Sequence, residues 1–229
     1  MKVIGIIPAR MGSSRYPGKP LKKIHGMPMV GHCYHRTAMA PGIDKAYIAT
    51  CDSEIYDYIL SIGGNAVMTS NTHTRATTRT AEALEKIEEQ INETVDIVVM
   101  VQSDEPLIHP DTIGETIPHF QDQSVDIVNI MSRLSTKDAF EDKNNVKVVV
   151  NNYNDALYYS REPIPSTWNG WGDLPRYMQT GIIAFRRDTL IEFNAMQETR
   201  LEQIESVDMN RVLETGGKVR MVLTDATTI

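Results

Sequence analysis

Val3-Ile-Gly-Ile-Ile-Pro8 runs directly into Ala9-Arg-Met-Gly-Ser-Ser-Arg-Tyr-Pro-Gly-Lys19, and the architecture follows from that junction. The first segment is a continuous apolar run of strand length, the pattern of a central parallel strand covered on both faces. The second is a loop of Gly, Ser, Pro and basic residues. Beyond it, Met29 to Ala40 reads as a helix stopped by Pro41-Gly42, and Lys45 to Thr50 as a second strand. Asp52 stands as the N-cap of a helix through Ile62 that Gly63-Gly64 ends, and Ala66 to Thr69 is a short third strand. From Thr78 to Ile91, the residues Ala81, Leu84, Ile87 and Ile91 share one helical face, and Asp96 to Gln102 is another buried strand. This alternation predicts an α/β fold with a doubly wound, mostly parallel sheet. Ligands on such sheets sit beyond the carboxyl ends of the strands, here the residues after Pro8, Thr50 and Val101.

The second half has a different grain. Asp126 to Leu134, Val146 to Asn151, Ala156 to Ser160 and Gln179 to Phe185 read as strands with short connections, which predicts an antiparallel extension used for substrate recognition or subunit contact. Glu162 to Arg176, rich in Pro, Gly and Trp, reads as a long surface loop or arm. A chain of 229 residues suits one large domain, divided near residue 123 into two halves. The apolar strands of the second half, with Trp168 and Trp171, hint at a dimer surface.

Charge and composition narrow the partners. A net charge of −7 argues against nucleic acid, which needs phosphates neutralised over many contacts, but a small anion needs only a local basic cluster. Cys33 and Cys51 lack CxxC spacing and read as packing groups, and no apolar run is long enough to span a membrane, so a reducing cytoplasm is expected. In the first loop, Arg10, Ser13, Ser14, Arg15 and Lys19 lie among Gly12 and Gly18. Freed backbone N–H groups, hydroxyls and fixed cations are what a triphosphate requires. The order Gly-Lys-Ser/Thr is absent, as is GxGxxG, so the loop matches neither common phosphate motif, and a solvated basic loop is the other reading of its composition.

The string Ile7-Pro-Ala-Arg-Met-Gly-Ser-Ser-Arg-Tyr-Pro-Gly-Lys-Pro-Leu21 resembles the opening of the 3-deoxy-manno-octulosonate (Kdo) cytidylyltransferases, the CMP-Kdo synthetases. Gln102-Ser-Asp-Glu-Pro106, Asn145-Val-Lys-Val-Val149, Ala156-Leu-Tyr-Tyr-Ser-Arg-Glu-Pro-Ile-Pro165 and Leu201-Glu-Gln-Ile-Glu-Ser206 resemble later blocks of that family, in its order. The resemblance implies a Rossmann-like nucleotidyltransferase that moves CMP from CTP to a keto-sugar acid and releases pyrophosphate, in a cytoplasmic homodimer, with residues 1–123 as the CTP half. It implies that Arg10, Lys19 and Asp104 are catalytic and that Asp104 holds Mg²⁺. Ala9, Ser13, Ser14, Arg15, Thr50, Asp52, Thr77, Arg79 and Gln102 would bind the nucleotide, and Arg161, Gln179, Glu202 and Gln203 the sugar. Gln102 offers a donor and an acceptor to cytosine, or else bonds a loop at a strand end.

Three departures stand out, two bearing on the ligand contacts and the third on the metal site. A run resembling His-x-Ser-Gly-Thr-Asp/Glu-Arg reads His73-Thr-Arg-Ala-Thr-Thr-Arg79, with Arg75 for a small hydroxyl residue and Thr78 for the carboxylate; His73 is a ligand contact or a turn residue. A block resembling His-Leu-Gly-Ile-Tyr-Gly-Tyr reads Gln179-Thr-Gly-Ile-Ile-Ala-Phe185, so an imidazole and two phenols are missing. The sequence ends at Ile229, before the family's block with a second metal-binding Asp, and Asp225 does not align with that residue. The departures leave open Kdo, a related or amino-modified sugar acid, a different acceptor, or an inactive nucleotide-binding homologue.

Overall fold

The computed structural model describes residues 1–12, 17–172 and 174–225. β1 (Val3–Ala9) leads through a 3₁₀ turn at Lys19–Leu21 and a small hairpin, β2 (Lys23–Ile24) and β3 (Met27–Pro28), into α1 (Met29–Ala38). There follow β4 (Lys45–Thr50), α2 (Ser53–Ser61), β5 (Ala66–Met68), α3 (Ala76–Ile91), β6 (Ile97–Val101), α4 (Pro110–Gly114) and a 3₁₀ turn at Ile117–Gln121. The second half holds β7 (Ile127–Arg133), α5 (Lys137–Glu141), β8 (Lys147–Val150), β9 (Ala156–Ser160), β10 (Tyr177–Arg186), α6 (Arg187–Ala195), α7 (Arg200–Glu205), α8 (Met209–Glu214) and β11 (Arg220–Thr224). β4 and β9 have the expected bounds, and most other predicted elements shift by one or two residues at their ends. The short helices α4 to α8 and the strand β11 were not foreseen.

The main sheet runs β11-β7-β10-β6-β1-β4-β5, with β8 on β10 and β9 on β8. β1 pairs in parallel with β4 and β6, as its apolar run predicted, and strand alternation divides its side chains between two cores. Ile4 and Ile6 join Leu84 and Ile87 of α3, Phe193 of α6 and Val212 of α8 on one face. Val3 and Ile7 join Cys33 of α1, Ile55 and Ile59 of α2 and Ile113 of α4 on the other. Helices therefore cover both faces, as a doubly wound sheet requires.

The second half forms the expected antiparallel extension, with one unforeseen strand added to it. β10 is antiparallel to both β6 and β7, and β8 and β9 are antiparallel neighbours, but β11 lies parallel to β7. β10 also sits within the sheet, so the two halves share one layer. The Glu162 to Arg176 stretch holds no helix or strand among its described residues. Trp168 is exposed on it, whereas Trp171 packs edge-on against Phe140 and under the Arg176 guanidinium, 4.3 Å from its ring centre. Trp171 thus belongs to the packing of the arm and not to a free surface.

Candidate active site

The carboxyl ends of β1 and β6 open into a cleft of about 690 Å³. β1 contributes Ala9, Arg10 and Gly12, with Lys19 on the turn that follows; beyond β6 come Gln102, Asp104 and Glu105. The start of α3 supplies Arg75, Thr77 and Arg79 from one side. Gln179 and Gly181 of β10, Arg161 after β9, and Ser206 and Asp208 between α7 and α8 complete the lining, the last two in direct contact with the start of α3. Among the described residues, five Arg and Lys face three Asp and Glu, a local cationic surplus on an acidic chain.

Lys19 is placed by backbone chemistry. Gly18 adopts φ 74°, a left-handed conformation that glycine takes without strain, and Pro20 starts the 3₁₀ turn. Lys19 Nζ then lies 3.3 Å from Asp104 Oδ2, with the two side chains 40% and 47% exposed. Behind them, burial raises the pKa of Glu105 against the lowering effect of the Gly181 amide. β10 can approach β6 here because residue 181 is glycine: a Cβ would stand 2.8 Å from the Gln102 Cβ. The Gln102 amide donates to the Gly181 carbonyl at 2.9 Å, so both walls are fixed to each other at this point.

The α3 side is a polar lattice. Arg79 is buried, with Nη1 donating to Thr69 Oγ1 at 2.5 Å and to the Ser70 carbonyl at 3.2 Å. His73 lines the cleft yet has both ring nitrogens engaged, by Thr78 Oγ1 at 3.1 Å and by Glu82. Burial alone would raise the Glu82 pKa, but hydrogen bonds from Lys86, the Ser70 amide and His73 outweigh it and bring the value to about 2. Glu82, one turn after Thr78, lies behind the cleft wall and orders His73 from there. Thr77 Oγ1 donates to Asp208 Oδ2 at 2.5 Å, and burial raises the Asp208 pKa against the opposing pull of Thr77 and Arg75.

A family described as cytidylyltransferase matches residues 4–220. The chain belongs to that cytidylyltransferase family. The 3-deoxy-manno-octulosonate cytidylyltransferase of Geobacter metallireducens is 40% identical over 98% of this chain and 90% of its own length. That of Escherichia coli is 37% identical over 96% and 86%. A solved CMP:2-keto-3-deoxy-manno-octonic acid synthetase complexed with CTP is 36% identical, with TM-score 0.90, covering 99% of this chain and 91% of that one. A cytidylyltransferase from Leptospira borgpetersenii, 17% identical with TM-score 0.60 over 98% of this chain and 77% of its own, shares the fold.

Within this cytidylyltransferase the expected site residues divide. Ala9, Arg10, Lys19, Thr77, Arg79, Gln102, Asp104, Arg161 and Gln179 converge on the cleft. Ser13, Ser14 and Arg15 lie outside the described residues. Four expectations require correction. Thr50 is fully buried and spends its hydroxyl on the Asp52 amide at 3.1 Å. Asp52 holds the first loop from behind, accepting the Met11 amide at 2.7 Å instead of capping α2 with its side chain. Glu202 is buried against Arg211, at 2.6 and 2.7 Å, and accepts the Thr199 amide at the start of α7. Gln203 is exposed on α7 and does not line the cleft.

The polar residues that the junction of α7 and α8 does present are Ser206 and Asp208, neither of them among the expected site residues. Lys147 was passed over as well. Fully buried, it donates Nζ to the carbonyls of Asp142, Asn145 and Arg161 at 2.5 to 2.9 Å and so locks the wall that carries Arg161. A charged residue inside an otherwise apolar strand, Val146-Lys-Val-Val149, is the signal that could have found it, since such a group must be bonded internally.

Proposed function

We propose that this chain transfers CMP from CTP to the anomeric hydroxyl of Kdo or a closely related 3-deoxy keto-sugar acid, releasing pyrophosphate. The observation that carries the reading is that Arg10, Lys19 and Asp104 beyond β1 and β6 line one cleft together with Arg161 and Gln179. Attack on the α-phosphorus builds charge on the leaving phosphates, so fixed cations supply much of the rate. Arg10 and Lys19 grip the triphosphate, and Gln102 presents both a donor and an acceptor to the base. Arg161 takes the acceptor's carboxylate.

Magnesium suits this site only as an ion shared with the nucleotide. Among the described residues no three His, Cys, Asp or Glu side chains could hold a metal together. A half-exposed Asp104 facing bound phosphates does suit Mg²⁺, which is commonly held by one or two carboxylates plus phosphate oxygens. When bound, the ion neutralises charge on the leaving pyrophosphate. The same reading includes a homodimer and a cytoplasmic location; no helix among the described residues is long and apolar enough to cross a membrane.

Pyrophosphate release from CTP, Mg²⁺ and a panel of keto-sugar acids tests the proposal. Lys19→Ala should lower kcat/KM by about 10² to 10³. Its melting temperature should stay near the parent's, because Lys19 is 40% exposed. CTP binding without turnover of any keto-sugar acid would overturn the reading.

A further inference from the structure

Two guanidinium groups from different elements of the cleft lining meet at Ser206. Arg75, immediately before α3, donates Nη1 to Ser206 Oγ at 3.1 Å. Arg161, just after β9, reaches the Ser206 carbonyl through Nη2 at 3.4 Å. Both line the cleft, and Ser206 holds them from a left-handed backbone position, φ 52°, at the end of α7.

The two cations are held differently. Arg161 is anchored through all three nitrogens to carbonyl oxygens, of Glu205 at 2.8 Å, Lys143 at 3.0 Å and Ser206, so its position is fixed without a carboxylate on its guanidinium. Arg75 faces carboxylates at longer range: Asp208 Oδ1 at 3.4 Å from Nη1 and Glu198 Oε1 at 3.8 Å from Nε. Charge-assisted bonds of full strength are about 2.7–2.9 Å, so these tethers are loose. Two neighbouring cations repel unless an anion lies between them, and a cleft that receives an acidic acceptor brings one.

We infer that Arg75 is a specificity-determining residue that joins Arg161 in seating the anionic group of the acceptor, exchanging its loose contact with Asp208 for that group. The inference rests on the reading of the cleft as the acceptor site. It assigns Arg75 a part in selecting acidic acceptors and none in holding the triphosphate.

The test compares a keto-sugar acid with its neutral carboxamide, using the parent enzyme, Arg75→Ser and Arg75→Lys. Arg75→Ser should raise the acid's KM by about 10- to 100-fold, as expected for a lost charge-assisted bond. It should reduce the acid-over-amide preference and leave CTP affinity, measured by calorimetry, within about twofold. Arg75→Lys retains the charge without the planar fork and should fall between the two, and it serves if Arg75→Ser fails to fold. An unchanged acid-over-amide ratio in a variant that still turns over overturns this inference alone, as would equal losses for CTP and acceptor. Absence of turnover in the parent enzyme would instead overturn the broader reading.

Discussion

Replacing Glu202 with Ala separates a structural role from a sugar contact. The Glu202 and Arg211 side chains are 0% and 3% exposed, joined by two short bonds. Arg211 also donates Nη1 to the carbonyls of Phe193 and Met196 and lies 4.4 Å from the Phe193 ring centre, so one guanidinium ties the end of α6 to α7 and α8. Removing the carboxylate leaves that cation buried and bonded only to carbonyl oxygens, with Asp208 and Glu198 acting on it through space, a change that costs about 3–5 kcal/mol. For a domain of this size each kcal/mol moves the midpoint by about 2–4 °C, so thermal unfolding should occur roughly 6–20 °C lower. Calorimetry reads the shift, and steady-state kinetics well below the lowered midpoint should give an acceptor KM within about threefold of the parent's. A tenfold rise in acceptor KM with an unchanged midpoint would refute the reasoning and return Glu202 to the sugar.

Glu82 predicts a pH signature. Its folded pKa of about 2 lies below the ordinary carboxylate value near 4.3, so its ionised form stabilises the fold above that value and the contribution is lost as pH falls toward 2. Glu82→Gln should flatten the acid limb of the stability profile between those limits, and parallel limbs in parent and variant would contradict the assignment. Burial pushes the Cys33 thiol up to about 12, so a disulfide reagent at pH 8 should modify the half-buried Cys51 and reach Cys33 only on unfolding. Equal reaction rates of the two thiols in the native protein would show that α1 does not seal Cys33 as described.

What could be read from the chain depended on how locally each feature is caused. β1 was legible because a strand covered on both faces is an unbroken apolar run, and α3 because Ala81, Leu84 and Ile87 repeat at helical spacing. α7 and α8 are six residues each, too short for a period to emerge. The placement of β10 between β6 and β7 and the parallel pairing of β11 are long-range choices that no local pattern carries. The same limit explains Glu202. Matched motif letters read it as a ligand contact, whereas its partner Arg211 fixes it in the interior. Ser206 and Asp208, which face the cleft in its place, carry no periodic signal at all.

Burial sorts the ion pairs in and behind the cleft by whether a ligand can exchange them. Lys19 and Asp104 are nearly half exposed and 3.3 Å apart, so their attraction contributes about 0–1 kcal/mol. A triphosphate offered to the lysine and a cation offered to the aspartate can therefore part them at little cost, and until then the pair neutralises two charges that would otherwise face one another's competitors in solvent. Glu202 and Arg211 lie at the other extreme, sealed and doubly bonded, and hold the wall in place whatever enters the cleft. Arg75 and Asp208 stand between these limits: at 3.4 Å, with side chains 21% and 17% exposed, they are sheltered enough for charge to matter and loose enough to be re-partnered. By this ordering Lys19 and Asp104 exchange partners most readily, Arg75 and Asp208 exchange for a matching anion, and Glu202 and Arg211 do not exchange. Under the proposed function, such an ordering lets acceptor recognition be retuned through Arg75 without disturbing either the Lys19–Asp104 pair or the buried Glu202–Arg211 pair.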